Sequence, residues 1–177
     1  STKKIQFVDN FEVGNSVSYL NASIDQLTCL LEFRANLSIT PDLSFQYYGR
    51  PFFAKGKYFD FKKITNPRAE KFSDRFQILS DSQITYNVDD EMYLVDENTD
   101  GETDYSFDNP DFNFRDFQSN LVIRWEYKPG STVFLVWTQG RQYYDIDYRT
   151  NLKNSASDLF NEYPHNIFLV KLSYRFY

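Results

Sequence analysis

The sequence has little of what a disulfide framework or a helical membrane anchor requires. Its 177 residues contain one cysteine, Cys29, which excludes an internal disulfide framework. No run approaches the ~18 consecutive apolar residues expected of a membrane-spanning helix. The mean hydropathy is −0.58, as expected for a chain without such a run. The sequence therefore predicts no membrane-spanning helix.

Glycine, proline and excess positive charge are also scarce. There are six glycines, six prolines and a formal net charge of −6, which argues against a nucleic-acid partner. Aromatic residues are abundant instead, with 14 tyrosines and 18 phenylalanines. Aromatic and β-branched side chains suit a pleated surface. The composition therefore predicts an all-β protein of single-domain length, with one domain over residues 1–177.

Alternating apolar and polar side chains predict unusually long strands. In residues 26–40, Leu27, Cys29 and every second residue up to Ile39 are apolar, whereas strands in soluble proteins average roughly five or six residues. Tight turns at Pro41-Asp42 and at residues 128–131 each join two such segments. The predicted long strands cover residues 26–40, 43–54, 117–128, 131–141 and 166–177, with a sixth near 3–13.

Long polar segments connect these strands at the side opposite the tight turns. Residues 50–116 and 142–165 are predicted to be extracellular excursions. They include a short helix near 67–72, a hairpin in 76–88, and a short polar hairpin that begins at Ile84 and leads into the acidic loop. Outer-membrane barrels have short turns on one side and long loops on the other. The predicted fold is an antiparallel up-and-down meander that supplies the carboxyl-terminal strands of an outer-membrane β-barrel.

The apolar face of this meander has two alternative surroundings. In a barrel it contacts lipid, with aromatic girdles at both edges of the hydrocarbon. In a soluble β-sandwich or open sheet it packs against a second layer of protein. The aromatic residues predicted to lie in a girdle are Trp125, Tyr127, Tyr174, Phe176 and Tyr177. The barrel hypothesis predicts that Leu31, Phe33, Ile123, Leu135, Val170 and Leu172 point into lipid, and that Glu32, Arg34, Arg124, Lys171 and Ser173 point inward.

Three stretches carry a family resemblance. They are "ITPDLSFQYYGRPF", "DENTDGETDYSFDNPDFNFRDFQSNLVIRWEYKPGSTVFLVWTQGR" and "FLVKLSYRFY". From about residue 26 onward the chain resembles the carboxyl-terminal part of a family of Bacteroidota cell-envelope proteins. Members pair an amino-terminal carbohydrate-binding domain of the family-nine type with a large domain of unknown function. The resemblance implies an outer-membrane barrel in a Gram-negative bacterium.

This resemblance implies a location and an architecture, and it supplies no catalytic residue. We therefore predict a non-enzymatic outer-membrane β-barrel segment with a structural, transport or surface-binding role. A link to carbohydrate is implied by the resemblance alone. The closing strand resembles the carboxyl-terminal signal of outer-membrane proteins, with Tyr177 one residue beyond the usual terminal aromatic. The alternative is a soluble extracellular β-sheet binding module.

One acidic loop predicts a calcium site. The stretch "DENTDGETD" matches the opening of the D-x-[DN]-x-[DN]-G loop, in which glycine permits a sharp turn. The twelfth position is Phe107, so the bidentate glutamate of an EF-hand is missing. A solvated acidic loop is the alternative. The predicted calcium ligands are Asp96, Asn98, Asp100, Glu102 and Asp104.

Residues with nucleophilic chemistry are few. His165 is the single histidine, and Ser155 and Ser157 lie in the same predicted loop. A nucleophilic serine needs a nearby base, and nothing in the sequence places these side chains together. Cys29 lies on the apolar face, where cysteine behaves as a small hydrophobe. We predict no enzymatic activity.

The strand count predicts that this chain does not close a barrel by itself. Single-chain bacterial barrels have at least eight strands, and an open edge in lipid leaves backbone groups unsatisfied. We expect the remaining strands to come from an upstream part of the same protein or from a partner chain. The other predicted partner is outer-membrane lipid.

Overall fold

The computed structural model describes residues 4–13 and 16–176. Antiparallel strands dominate this part of the chain, which confirms the predicted all-β character. The strands are β1 Lys4–Val13, β2 Ser16–Leu30, β3 Phe33–Thr40, β4 Leu43–Ile64, β5 Phe76–Ile78, β6 Ile84–Asn87, β7 Met92–Val95, β8 Tyr105–Asp108, β9 Phe112–Lys128, β10 Ser131–Asp145 and β11 His165–Ser173. A 3₁₀ turn covers Phe72–Arg75, and one helix, α1, covers Leu152–Asn161.

The larger sheet has eight strands in the order β1-β2-β4-β9-β10-β11, with β3 and β5 also paired to β4. Strands β6, β7 and β8 form a separate antiparallel sheet. Within the described ranges, the sheets do not close into a barrel. Strand β11 pairs with β10 at one end of the strand order.

None of the helical segments in residues 4–13 and 16–176 is long and apolar enough to cross a membrane.

The chain divides into two compact units. The first unit comprises Ser1–Gln26 and Gly56–Phe112, and it has its own apolar core. Aromatic rings contribute to this core, with Phe61, Tyr93 and Phe107 in mutual ring contact. The buried core residues are Leu20, Ala22, Phe61, Leu79, Val95 and Phe107.

The second unit comprises Leu27–Lys55 and Asn113–Tyr177. Its two tight turns lie at one end, because the Glu126 N–H, near the second turn, donates to the Asp42 carbonyl in the first. The chain terminus lies at the same end, since the Arg175 N–H donates to Ser131 Oγ. Gly130 has φ +78°, the left-handed conformation that a type II turn requires after proline. Both tight turns and Arg175, near the carboxyl end, therefore lie at the same end of this unit.

Several element boundaries differ from the predicted ones. The predicted strand 26–40 is interrupted at residues 31–32, where the Leu31 N–H donates to the Pro51 carbonyl. Strand β4 continues to Ile64, and strand β9 begins at Phe112. Both strands therefore extend well into the predicted excursion 50–116. The sixth predicted strand is present as β1. The girdle prediction for Tyr177 lies outside the described residues.

Local structure within the polar segments also departs from the predictions. The predicted helix near 67–72 is a turn followed by 3₁₀ residues Phe72–Arg75. The hairpin predicted within 76–88 is wrong, because β5 pairs with β4. The short polar hairpin predicted to begin at Ile84 is confirmed, because β6 pairs with β7 in antiparallel register and the acidic loop follows. The 142–165 segment contains α1, which the polar composition did not predict.

Candidate functional site: a two-faced sheet

The pairing register aligns apolar side chains of β9, β10 and β11 in rows on one face of the sheet. Residues directly opposite each other across a strand pair share a face, as do residues two apart along a strand. We call nine of these side chains the apolar band. They form three rows: Leu121, Trp137 and Phe168; Ile123, Leu135 and Val170; Trp125, Val133 and Leu172.

Most of the apolar band is exposed. Phe168, Val170 and Leu172 on β11 have exposed fractions of 72%, 69% and 65%. Within the described part of the second unit, only Ala54, Phe117 and Leu159 are buried apolar residues. Contiguous exposed apolar surface of this kind marks a contact with lipid or another protein.

Aromatic pairs lie at both ends of the apolar band. At one end, the Trp137 ring stacks on Phe168 with centroids 6.0 Å apart. The Trp137 Nε1–H also donates to Asn166 Oδ1 at 2.8 Å. At the end of the tight turns, Trp125 contacts Tyr127, and Tyr174 contacts Phe176. Tryptophan and tyrosine suit a boundary between apolar and wet surroundings, because one end of each ring is polar.

One face of the β3–β4 pair is polar. Arg34 pairs with Tyr48, Asn36 with Gln46, and the Arg34 guanidinium lies over the Tyr48 ring. An open cavity of about 350 Å³ is lined on this face by Arg34, Asn36, Gln46, Tyr47, Tyr48, Asn120 and Val122. The apolar residues Leu37 and Ile39 lie on the opposite face of β3 and are exposed.

On β9 to β11 the face opposite the apolar band is mixed. Arg124 and Lys171 flank Phe134 in one row, so these two predicted inward positions share a face of the sheet. Arg124 Nη2 lies 2.7 Å from Glu126 Oε2. The other oxygen of the Glu126 carboxylate, Oε1, accepts from the Gly130 N–H. A second cavity, of about 360 Å³, is lined by Asp116, Gln118, Thr138, Gln139, Gly140, Arg141, Gln142, Tyr163 and His165. This face is therefore polar at its ends and partly apolar between them.

A buried arginine holds α1 against the sheet. Arg115 is fully buried, with Nη2 2.9 Å from Asp145 Oδ2 and Nη1 3.1 Å from Asp158 Oδ2 on α1. Its guanidinium also lies over the Tyr143 ring. No local sequence motif indicates this cluster, because its members are far apart in the chain.

The predicted calcium ligands lie in one loop of the first unit. Asp96 accepts hydrogen bonds from the N–H groups of Asp100 and Gly101, and Gly101 has φ +96° as a sharp turn requires. Asn98 Oδ1 also accepts from the Asp100 N–H, and the Asp100 carboxylate accepts from the N–H of Glu102.

The fifth predicted ligand lies in the same loop and is bonded to the backbone. Asp104 Oδ2 accepts from the Glu97 N–H at 2.7 Å. Among the described residues, no three His, Cys, Asp or Glu side chains form a group that could hold a metal ion. Calcium binding by this loop stays a prediction.

Glu97, between two of the predicted ligands, has other partners. Its carboxylate accepts from Lys63 Nζ at 2.6 Å and from the Tyr105 hydroxyl at 3.0 Å. Burial, together with the neighbouring Glu97 carboxylate, raises the pKa of Tyr105. Glu97 therefore helps to fix the base of the acidic loop.

The nucleophilic residues fall in different surroundings. Ser155 is buried on the sheet-facing side of α1, and Ser157 is exposed. His165 begins β11 and lines the cavity with Asp116 and Gln118. Cys29 is half-buried on β2. The expected absence of enzymatic activity stays a prediction.

Comparison with known families identifies the chain. The sequence model of one family matches residues 2–176, nearly the whole chain. The chain belongs to the family described as "Domain of unknown function (DUF5916)". This confirms the part of the resemblance that concerns a domain of unknown function. No curated protein and no solved structure matches this DUF5916 chain.

Proposed function

We propose that this DUF5916 chain is a non-enzymatic segment of a bacterial outer-membrane β-barrel. The apolar band of the second unit contacts lipid, and the opposite face lines the barrel interior. Its role is structural, in transport, or in binding at the cell surface. The remaining strands are supplied by an upstream part of the same protein or by a partner chain.

The exposure of the apolar band is the observation that carries this proposal. Burying an apolar side chain such as Leu or Phe contributes about 1.5–3 kcal/mol. A soluble domain would gain that stabilisation by covering Phe168, Val170 and Leu172, yet all three are largely exposed. In a bilayer the same exposure is favourable, because hydrocarbon replaces water.

The sorting of turns and aromatic residues supports the same proposal. Both tight turns of the second unit lie at the end that carries Trp125 and Tyr127. The opposite end has Trp137 and the long segment that contains α1. Outer-membrane barrels combine these features: short turns, long loops and two aromatic girdles.

Spin labels along β11 test the proposal against the soluble alternative. A nitroxide is attached at each of Phe168→Cys, Leu169→Cys, Val170→Cys, Lys171→Cys and Leu172→Cys, in a Cys29→Ser background. Collision rates with oxygen and with an aqueous nickel complex are measured after reconstitution in phosphatidylcholine vesicles. We expect high oxygen and low nickel collision rates at 168, 170 and 172, with the opposite pattern at 169 and 171.

A soluble binding module gives a different pattern. Its labels at 168, 170 and 172 would show nickel collision rates as high as those at 169 and 171, or low rates with both reagents if a protein layer covers them. The protein would also remain in the supernatant after vesicles are sedimented. Either pattern would overturn the barrel proposal.

A further inference from the structure

The apolar band ends at a polar row. Ser119 pairs with Gln139, and Gln139 pairs with Asn166, so these three side chains form the row directly beyond Leu121, Trp137 and Phe168. Gln139 Nε2 and Trp137 Nε1 both donate to Asn166 Oδ1. The apolar surface of the sheet therefore has a defined boundary.

The distance to this boundary matches a bilayer. From Tyr127 to Ser119, β9 advances eight residues, which corresponds to ~27 Å along the strand at ~3.4 Å per residue. With a strand tilt of ~40°, that length spans ~21 Å along the membrane normal, close to the ~25 Å apolar band of outer-membrane barrels. The Ser119 row therefore lies at the level where hydrocarbon meets headgroups.

Helix α1 packs on the same face of the sheet, immediately beyond this row. Phe117, two residues before Ser119 on β9, is buried against Phe160 of α1, with ring centroids 5.1 Å apart. Arg141, the register partner of Phe117, donates to the carbonyls of Phe160 and Glu162 and lies over the Phe160 ring. α1 is thus held on the outward face at the height of the headgroups.

The side chains that α1 leaves exposed suit that height. Ser155 and Leu159 face the sheet, whereas Leu152 and Phe160 remain 46% and 49% exposed. Tyr163, just after the helix, is 97% exposed. Aromatic rings with a polar end favour the interface between hydrocarbon and water.

The charges of α1 also fit a headgroup layer. Its one carboxylate, Asp158, is paired with the buried Arg115, and its one cation, Lys153, is exposed. An exposed ammonium next to lipid phosphate is favourable.

We infer that α1 and Tyr163 form an interfacial anchor that lies in the headgroup layer of the outer leaflet. This inference rests on the proposed function, since it takes the apolar band as the lipid-facing surface. The anchor fixes the depth of the β9–β11 sheet in the bilayer, because α1 is tied to that sheet by Arg115 and Arg141.

The depths of two spin labels in the bilayer test the anchor and the barrel proposal separately. A nitroxide at Asn161→Cys reports α1, and one at Val170→Cys reports the middle of the apolar band, both in a Cys29→Ser background. The protein is reconstituted in vesicles of phosphatidylcholine that contain phosphatidylglycerol, and a free nitroxide in buffer is the aqueous reference. We expect the Asn161 label within ~5–10 Å of the boundary between headgroups and acyl chains.

A second variant tests the role of Tyr163. Tyr163→Ser removes an exposed ring, and we expect it to raise the nickel collision rate of the Asn161 label at least twofold. Asn154→Ser, at an exposed position of the same helix, is the matched control and should leave that rate unchanged.

The outcomes are distinguishable. If the Val170 label lies in hydrocarbon but the Asn161 label collides with nickel as often as the free nitroxide, the anchor is overturned and the barrel proposal stands. If the Val170 label is itself in water, the barrel proposal fails and the anchor fails with it. An interfacial Asn161 label that does not respond to Tyr163→Ser would overturn the part assigned to Tyr163.

Discussion

At the scale of single residues, Arg115 shows what holds the end of the sheet beyond the apolar band. Its guanidinium is fully buried between two carboxylates, one on β10 and one on α1. Removing one partner from a buried ion pair leaves the other charge uncompensated, which costs more than the pair itself contributes. The neighbouring Asn113 Nδ2 also donates to the Asp147 carbonyl, which gives the segment after β10 a further attachment to β9.

Arg115→Met is expected to destabilise the protein by about 1–3 kcal/mol, because the carboxylates of Asp145 and Asp158 lose their partner but are 27% and 44% exposed to water. The measurement is the free energy of unfolding in urea, with the protein in detergent micelles. Arg149→Met, at an exposed position in the same segment, is the control and should change that free energy by less than about 0.5 kcal/mol. An equal effect of the two variants would contradict the structural role assigned to Arg115.

Asp111 gives a prediction on pH. Burial is the main cause that raises its pKa, against the lowering effects of the Tyr58 N–H, which donates to Oδ1 at 2.6 Å, and of Lys57. A carboxyl group with a raised pKa binds protons more strongly in the folded state than in the unfolded state. The free energy of unfolding should then fall as pH rises from the ordinary value of 3.8 through the raised one.

Asp111→Asn should remove this part of the pH dependence, because an amide keeps the acceptor for Tyr58 but does not ionise. Urea unfolding at a series of pH values between acid and neutral measures the slope. Asp108→Asn, at an exposed position on β8, should retain the slope of the wild type. A slope in Asp111→Asn equal to that of the wild type would contradict the effect assigned to Asp111.

At the scale of elements, most predictions made from the sequence rested on the alternation of apolar and polar side chains. The alternation in residues 117–128 and 131–141 predicted both strands and the turn between them, because side chains of a half-exposed strand must alternate. α1 was missed although its local signals are present: Asn151 caps it by accepting from the Asn154 N–H, and Ser155 and Leu159 have helical spacing. With only two buried positions, its apolar pattern is too weak to stand out.

Long-range pairs were beyond local pattern altogether. Arg115 and Asp158 are separated by 43 residues, and nothing in either segment indicates the other. The acidic loop shows the reverse case. Its local motif predicted a turn with glycine in a left-handed conformation, which is present, but the motif alone does not determine whether oxygens converge on a cation.

The apolar band gives the prediction for this scale. Leu135 lies in its middle row, between Ile123 and Val170. Leu135→Arg should destabilise the protein by about 2–4 kcal/mol in a bilayer, because a guanidinium near the midplane loses its hydration. Thr138→Arg, on the opposite face of β10, should cost much less. Unfolding by urea in phosphatidylcholine vesicles compares the two, and equal costs would contradict a lipid-facing band.

At the scale of the whole molecule, the two units bury apolar surface in different ways. The first unit encloses a core of buried aliphatic and aromatic side chains, whereas the second leaves its apolar band exposed. Composition alone predicted strands but not this division, because both units contain the same types of aromatic residue. The difference arises from pairing register, which decides which side chains share a face.

The open sheet leads to the last prediction. Strand β11 pairs with β10, and every second backbone N–H of an antiparallel edge strand points away from its partner. In lipid each unsatisfied group of this kind costs several kcal/mol, so we expect a further strand to pair with β11 in the complete protein.

Hydrogen exchange should then show slow exchange for all amides of residues 166–173 in the complete protein in membranes. In the 177-residue chain alone in detergent, every second amide of this stretch should exchange fast. Strand β10, which is paired on both sides, should be protected in both preparations. If the amides of β11 exchange in the same pattern in both preparations, no further strand pairs with β11.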